Sequence, residues 1–211
     1  MKKGEDIVRK REVKAILFDM DGVLVDSIDA WFYTVNDTLQ HFHFRKFSFS
    51  DFRKNFGTAI EKDAKTIYHG APVKEIAAYY DKRFKIRISK VRLFKDTIPA
   101  LKFLREKKIK LALLTNSTRY ITNSILTHFN IKKYFDAVVT GEDVRHGKPS
   151  PDLVIEACRR IKVRPKDAML VGDTMNDMLA GKRAGCITIG FKTNGNYRIN
   201  NLKEISAFLK N

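Results

Sequence analysis

The sequence predicts an α/β protein whose parallel sheet is interrupted, after its first strand, by a run of helices. Three observations lead there. Five short apolar runs rich in strand formers recur along the chain, amphipathic helical patterns separate them, and residues 26–94 carry helical patterns with no convincing strand. Strands buried on both faces read as near-continuous apolar runs, and strands alternating with helices imply a parallel sheet covered on both sides. The predicted architecture is a Rossmann-like parallel sheet core formed by residues 1–25 and 95–211, with an inserted α-helical domain over 26–94.

The elements follow in order. "VKAILF" (13–18) is the first strand. "SIDAWFYTVNDTLQHF", "SFSDFRKNFG", "AIEKDAKTIYHG" and "VKEIAAYYDKRFKIRISKV" are successive helices of the insertion. Residues 97–108 form a helix with Pro near its start and apolar Ile98, Leu101 and Leu104 on one face. "IKLALL" (109–114) is the second strand and 118–129 its helix. "FDAVVT" (135–140) is the third, and the helix at 150–161 opens on Ser-Pro-Asp, a start signature. "AMLVG" (168–172) is the fourth, with a helix at 174–185 that has Thr at its start and Gly at its end. "CITIGF" (186–191) is the fifth, and a helix over 202–210 closes the chain.

The bulk composition narrows the class. There are 211 residues, 44% hydrophobic and 31% charged, which suits one folded core of ordinary size with a modest insertion. No run of ~18 apolar residues predicts a membrane span. The basic start "MKKGEDIVRKREVK" lacks the apolar region of a secretory signal. Cys158 and Cys186 each sit in an apolar pattern and read as buried thiols in a reducing cytoplasm. The net charge of +17 is spread along the whole chain and accompanies no reader motif. It reads as solvated lysines on helix faces and a field that draws anionic substrates, ahead of nucleic-acid binding.

In open parallel sheets, ligands bind outside the carboxyl ends of the strands. The first strand is followed by Asp19, Asp21 and Gly22, and the second by Thr115, Asn116 and Ser117. Past a short loop, the third leads to Lys148 in "GKPSPD", and the fourth to Asp173 and Asp177 in "GDTMND". Singly, each has an ordinary structural reading. Asp21-Gly22 and Asp173 are turn formers, Thr115 or Ser117 caps the helix at 118–129, and Lys148 is a solvated lysine. Together they point to chemistry. Clustered carboxylates repel unless a cation neutralises them. Asp19 and Asp173 are hard oxygen ligands of the kind Mg²⁺ takes. A lysine and a hydroxyl beside such a metal suit a phosphate.

"DMDGVLVDS", "LLTNS", "GKPSPD" and "GDTMND" resemble, in the same order, the four motifs of the haloacid dehalogenase superfamily. They look most like its phosphoglycolate phosphatase-like and β-phosphoglucomutase-like branch, which carries a helical cap after the first strand. The resemblance implies an Mg²⁺-dependent phosphatase that hydrolyses a small phosphorylated metabolite, phosphoglycolate-like or a sugar phosphate, through an aspartyl-phosphate intermediate. By position it implies Asp19 as nucleophile, and Asp21 as the acid that protonates the leaving alcohol and then the base that activates water. The implied Mg²⁺ ligands are Asp19, Asp173 and the backbone carbonyl of Asp21, with Asp177 in support. Thr115 and Lys148 would hold the phosphoryl oxygens, and Asn116 would add a backbone N–H. "FRKNFGTAIEKD" (52–63) resembles the cap loop that enters the site, with Gly57 at its turn and Arg53, Lys54 and Thr58 as candidate contacts.

Asp21 weighs against the branches that cleave carbon–phosphorus bonds and against dehalogenases, which lack it. "GDTMND" departs from the Glu-Asp-Ser pattern of the related mutases. Inorganic pyrophosphatase or phosphomutase activity on the same scaffold is the competing enzyme reading, and a basic nucleic-acid-binding protein the competing class. The expected partner is a small-molecule phosphate ester, with no nucleic acid and no membrane, in a cytoplasmic monomer or homodimer. Trp31, His41, His43 and the Phe-rich stretch 42–56 are expected to pack within the cap, and His146 to lie in a loop.

Overall fold

A computed structural model describes residues 13–209. Six parallel strands form the sheet: β1 (Ala15–Phe18), β4 (Lys110–Leu114), β5 (Ala137–Val139), β6 (Ala168–Gly172), β7 (Ile187–Phe191) and β8 (Tyr197–Ile199), in the order β5-β4-β1-β6-β7-β8. β1 is central, and Leu17 pairs with Ala112 on one side and Leu170 on the other. Alternate residues of β1 enter different apolar clusters. Ile16 and Phe18 join Leu101, Leu104, Ile121 and Ile125 of two helices, whereas Ala15 and Leu17 join Leu153, Val154 and Ala157 of a third. This is the period of two expected of a strand, with both faces dry. Each fully buried Leu or Ile contributes roughly 1.5–3 kcal/mol. Chain order runs outward from β1 to β4 and β5, then returns to β6 on its other side and runs outward again. The crevice at the carboxyl ends beside β1 is the switch point where α/β sheets place ligands.

Between β1 and β4 the chain leaves through β2 (Val25–Asp26) and returns through β3 (Arg92–Leu93), which pair antiparallel. Between them lie α1 (Ile28–His41), α2 (Phe49–Asn55), α3 (Ile60–Thr66) and α4 (Val73–Lys85). α1 and α4 pack through Trp31 against Tyr80 and Phe84, with ring centroids 5.5 and 5.0 Å apart. Arg83 of α4 and Arg87 just beyond it both donate to Asp37 of α1. The core helices are α5 (Thr97–Glu106), α6 (Arg119–His128), α7 (Asp152–Ile161) and α8 (Met175–Ala184).

Four details differ from expectation. β8 is a sixth strand that sequence reading passed over, because three residues among asparagines carry too short an apolar pattern to register. β2 and β3 were missed for the same reason. Residues 202–208 form 3₁₀ turns rather than an α-helix. Their buried residues, Leu202 and Ile205, are three apart, and the Leu202 N–H is tied to Asp96 Oδ2 at 2.5 Å, a spacing that suits three residues per turn. Finally, neither Thr115 nor Ser117 caps α6. Thr118 does, its Oγ1 accepting from the Ile121 N–H at 3.2 Å. Cys158 and Cys186 are buried free thiols. The reading of a basic start without a signal falls mostly on residues 1–12, outside the described residues. No described helix is long and apolar enough to cross a membrane.

Candidate active site

β1 ends at Phe18 and delivers Asp19 and Asp21 to the carboxyl edge of the sheet. The chain then turns at Gly22, φ +82°, where a Cβ would lie 2.1 Å from Asp173 Oδ2. Only glycine takes that backbone conformation freely and lets the β1 loop pass so close to the carboxylate that follows β6. Asp177 sits in the first turn of α8. It and Thr174 cap the helix reciprocally: Thr174 Oγ1 accepts from the Asp177 N–H at 3.3 Å and Asp177 Oδ2 accepts from the Thr174 N–H at 3.0 Å. This leaves Asp177 Oδ1 for Lys148.

Lys148 reaches in from the loop before α7. Its Nζ donates to Asp19 Oδ1 and Asp177 Oδ1, each at 2.6 Å, and all three residues are buried. Burial works against the ammonium, but the Asp177 and Asp19 carboxylates outweigh it and hold Lys148 well above the usual lysine range. The carboxylates are less well matched. Burial pushes Asp19 well above its ordinary value; Lys148 opposes the shift, and Asp177, Asp173 and Asp21 add to it. Asp173 is pushed up to about 7 by burial and by the charge of Asp177, against the pull of Lys148.

One lysine thus faces four carboxylates. Oxygens of Asp19, Asp173 and Asp177 lie within 4.8 Å of one another. Asp173 Oδ1 is buried with no hydrogen-bond partner. A buried polar atom without a partner costs ~1–3 kcal/mol, more when charged, so this oxygen is placed for a ligand the protein does not itself supply. The donors are all hard carboxylate oxygens, a set that fits Mg²⁺ better than softer metals.

The Asp21 carboxylate is not part of that group. Oδ1 accepts from Ser27 Oγ and, at 3.1 Å, from Trp31 Nε1; Oδ2 accepts from Ser117 Oγ at 3.0 Å. Burial raises its pKa while these hydrogen bonds hold it down. Sequence reading missed all three donors. Ser27 and Trp31 lie across the β2 turn and Ser117 lies 96 residues on, so spacing alone does not reveal them. Trp31 does pack within the helical insertion as expected, and it also touches the core carboxylate.

The Asn116 side chain serves the loop that carries Lys148, Oδ1 accepting from the Lys148 N–H at 2.7 Å and Nδ2 donating to the Lys148 carbonyl at 3.2 Å. Nδ2 also lies 3.1 Å from the Gly57 carbonyl, which Asn176 Nδ2 approaches at 3.4 Å. Gly57, at φ +79°, thus brings the loop between α2 and α3 down onto two core asparagines. Among the described residues, no hydrogen bond uses the Asn116 backbone N–H.

These groups line one cavity of about 70 Å³, on a measure where a single water takes ~10–15 Å³. Asp19, Asp21, Thr115, Asn116 and Lys148 form its floor, and Trp31, Phe56, Gly57, Thr58, Asp63 and Tyr80 stand among its upper wall. Gly57 lines it as well, and Asp173 and Asp177 join it through the carboxylate group. Of the three candidate contacts in the α2–α3 loop, Thr58 lines the cavity. Arg53 lines a separate cleft beside Asp173 and Gly22, and Lys54 pairs with Asp51 on the surface.

Residues 16–191 match the family described as Haloacid dehalogenase-like hydrolase. The chain is 31% identical over 180 residues to pyrophosphatase PpaX of Bacillus velezensis, covering 85% of this chain and 83% of that protein. It is 28% identical over 192 residues to a phosphoglycolate phosphatase of Nitrosospira multiformis, covering 85% of each. The crystal structure of β-phosphoglucomutase from Clostridium difficile superposes with a TM-score of 0.80 at 16% identity, over 93% of this chain and 97% of that one. The chain belongs to the haloacid dehalogenase-like hydrolases. Within that family it is an enzyme of the phosphatase type.

Proposed function

We propose that this enzyme hydrolyses the phosphoric monoester of a small metabolite, phosphoglycolate-like or a sugar phosphate, with Mg²⁺ and through an aspartyl-phosphate on Asp19. The observation that carries the reading is the buried Asp19–Lys148–Asp177 chain beside the partnerless oxygen of Asp173. Asp19 and Asp173, with the Asp21 backbone carbonyl, would hold the ion. When bound, Mg²⁺ supplies the positive charge that lets an anionic nucleophile meet an anionic substrate.

The protein's own groups do the rest. An Asp19 oxygen attacks phosphorus as the bond from phosphorus to the leaving oxygen breaks. Asp21 gives that oxygen its proton. A water then loses a proton to Asp21 and attacks phosphorus, the bond to Asp19 breaks, and inorganic phosphate leaves. Burial outweighs the three hydrogen bonds and raises Asp21 above the ordinary carboxylate value, which suits it to both halves of this exchange. Lys148 and Thr115 would hold the phosphoryl oxygens, and the Asn116 N–H, which makes no other hydrogen bond among the described residues, would add a donor. We assign residues 26–94 as a cap that closes over the floor through Gly57. The two-stranded link of β2 and β3 is its hinge.

Asp19→Asn keeps the shape of the site and removes the nucleophile. Mg²⁺-dependent phosphate release from every ester should fall by on the order of 10³-fold or more. A mutant that retained full activity would remove Asp19 from the mechanism.

A further inference from the structure

The protein carries 41 Lys and Arg residues, yet the described residues that line the cavity include only one, Lys148. That lysine is already bound to Asp19 and Asp177. Among the described residues, the wall above the floor, where the alcohol part of an ester would lie, contributes no cation to this cavity; Arg53 lines the adjoining cleft, which shares Phe56 and Thr174 with it. It presents Trp31, Phe52, Phe56 and Ile60 as apolar surface, with Asn55, Thr58, Asp63 and Tyr80 as its polar groups.

Asp63 is the decisive member. Its Oδ1 accepts a hydrogen bond from the Thr58 hydroxyl, and the Tyr80 hydroxyl stands 3.5 Å from Oδ2. Tyr80 is in turn 3.1 Å from the Tyr68 hydroxyl. The cap therefore offers an acceptor and hydroxyls to the leaving group. A second anion placed there would lose its water, meet no positive charge and face a carboxyl, and burying an unpaired charge is strongly unfavourable. The surface field of +17 attracts phosphate esters of every kind and does not choose among leaving groups. The choice belongs to the wall.

We propose that the preferred substrate is the phosphomonoester of a small uncharged polyol. Its hydroxyls would meet Asp63, Tyr80 and Asn55, its carbon skeleton would lie on Trp31 and Phe56, and a second anionic group on the leaving side would be rejected. This rests on the phosphatase reading and narrows it. It also separates this chain from relatives named for pyrophosphate and phosphoglycolate, whose leaving groups are anionic.

Matched esters test it on the Mg²⁺-loaded enzyme. Glycerol 3-phosphate and 3-phosphoglycerate differ by a CH₂OH for a carboxylate, as do 2-hydroxyethyl phosphate and phosphoglycolate. The alcohol member of each pair should have the higher kcat/KM, by on the order of 10- to 100-fold, and pyrophosphate should rank with the acids. Ile60→Arg puts a cation into the wall and should narrow or reverse the ratio. Acid members or pyrophosphate equal to or better than the alcohols would overturn the inference while leaving the phosphatase reading intact. If Arg53→Ala then abolished that acid preference, the neighbouring cleft would be the charge reader instead. Metal-dependent phosphate release from no ester at all would overturn the phosphatase reading itself, and this inference with it.

Discussion

The floor and the wall of the cavity are built by opposite means. The floor is charge: four carboxylates and one lysine at the carboxyl ends of β1 and β6, in the first turn of α8 and in the loop before α7. Its geometry follows in part from strand register, because Phe18 is level with both Leu113 and Val171, and Asp19, Thr115 and Asp173 come one or two positions further on. The wall is apolar surface with hydroxyls, one amide and the single carboxyl of Asp63, assembled from helices α1 to α4 by aromatic packing. The contrast separates two tasks. On the proposed reading, chemistry on the phosphoryl group would be the same for every ester and would sit on the sheet, whereas the alcohol would be read by an element that leaves and returns through a two-residue ribbon.

The largest expected effect breaks the floor. Lys148→Met keeps the length of the stem and removes the charge that holds Asp19 and Asp177 together. Steady-state kinetics should show kcat/KM reduced by roughly 10³-fold for all esters alike, because what is lost is stabilisation of the phosphoryl group. The metal-free protein should also lose roughly 3–5 kcal/mol of stability, since two buried carboxylates are left unpaired. A loss confined to particular esters would instead place Lys148 among the groups that read the alcohol.

The same contrast governs what the sequence discloses. Asp19, Asp21, Thr115, Lys148, Asp173 and Asp177 are legible because each follows a strand or loop at a spacing that the parallel sheet converts directly into proximity. The five longer strands and the insertion are legible for the same local reason. Asp63 has no such signal. It sits in "IEKDAKT", charged as any solvated helix would be, and only the packing of α3 against Tyr80 turns it inward. Trp31 looks like cap core, and its contact with Asp21 depends on how α1 leaves β2. Asn116 reads as a phosphate-loop residue, but its side chain serves the Lys148 backbone, a pairing across 32 residues that no pattern encodes.

A smaller effect sharpens the wall. Burial pushes Asp63 up to about 7, with the Thr58 and Tyr80 hydrogen bonds opposing the shift, Lys62 lowering it and Glu61 raising it. The folded state therefore holds the Asp63 proton more tightly than the unfolded chain, whose carboxyl titrates near 4. That contribution to stability is complete below about pH 4 and is lost as pH rises through about 7, up to roughly 4 kcal/mol. Asp63→Asn stays neutral throughout. Between pH 5 and pH 8 the wild-type Tm should fall further than that of the mutant, measured in the same Mg²⁺ buffer so that the floor carboxylates contribute equally. Parallel curves would mean that Asp63 is ionised and solvated, and the wall would then lack its neutral acceptor.

The smallest effect probes the point where wall and floor touch. Trp31 belongs to α1, yet its Nε1–H is one of three donors on Asp21, together with Ser27 and Ser117. Trp31→Phe retains most of the ring surface against Tyr80 and Phe84 and removes only that donor. One hydrogen bond to a charged group is worth ~1.5–3 kcal/mol, and two others remain to hold the carboxylate, so a loss of about tenfold or less in kcat is expected. The dependence on leaving group carries the argument. An alkyl ester departs as a poor leaving group and needs the Asp21 proton as the bond breaks, whereas p-nitrophenolate departs with little help. The mutant should therefore be impaired on glycerol 3-phosphate and nearly normal on p-nitrophenyl phosphate. Equal impairment on both would show that Trp31 acts through packing of the wall alone. Impairment of the alkyl ester only would show that closure of the helical insertion completes the acid.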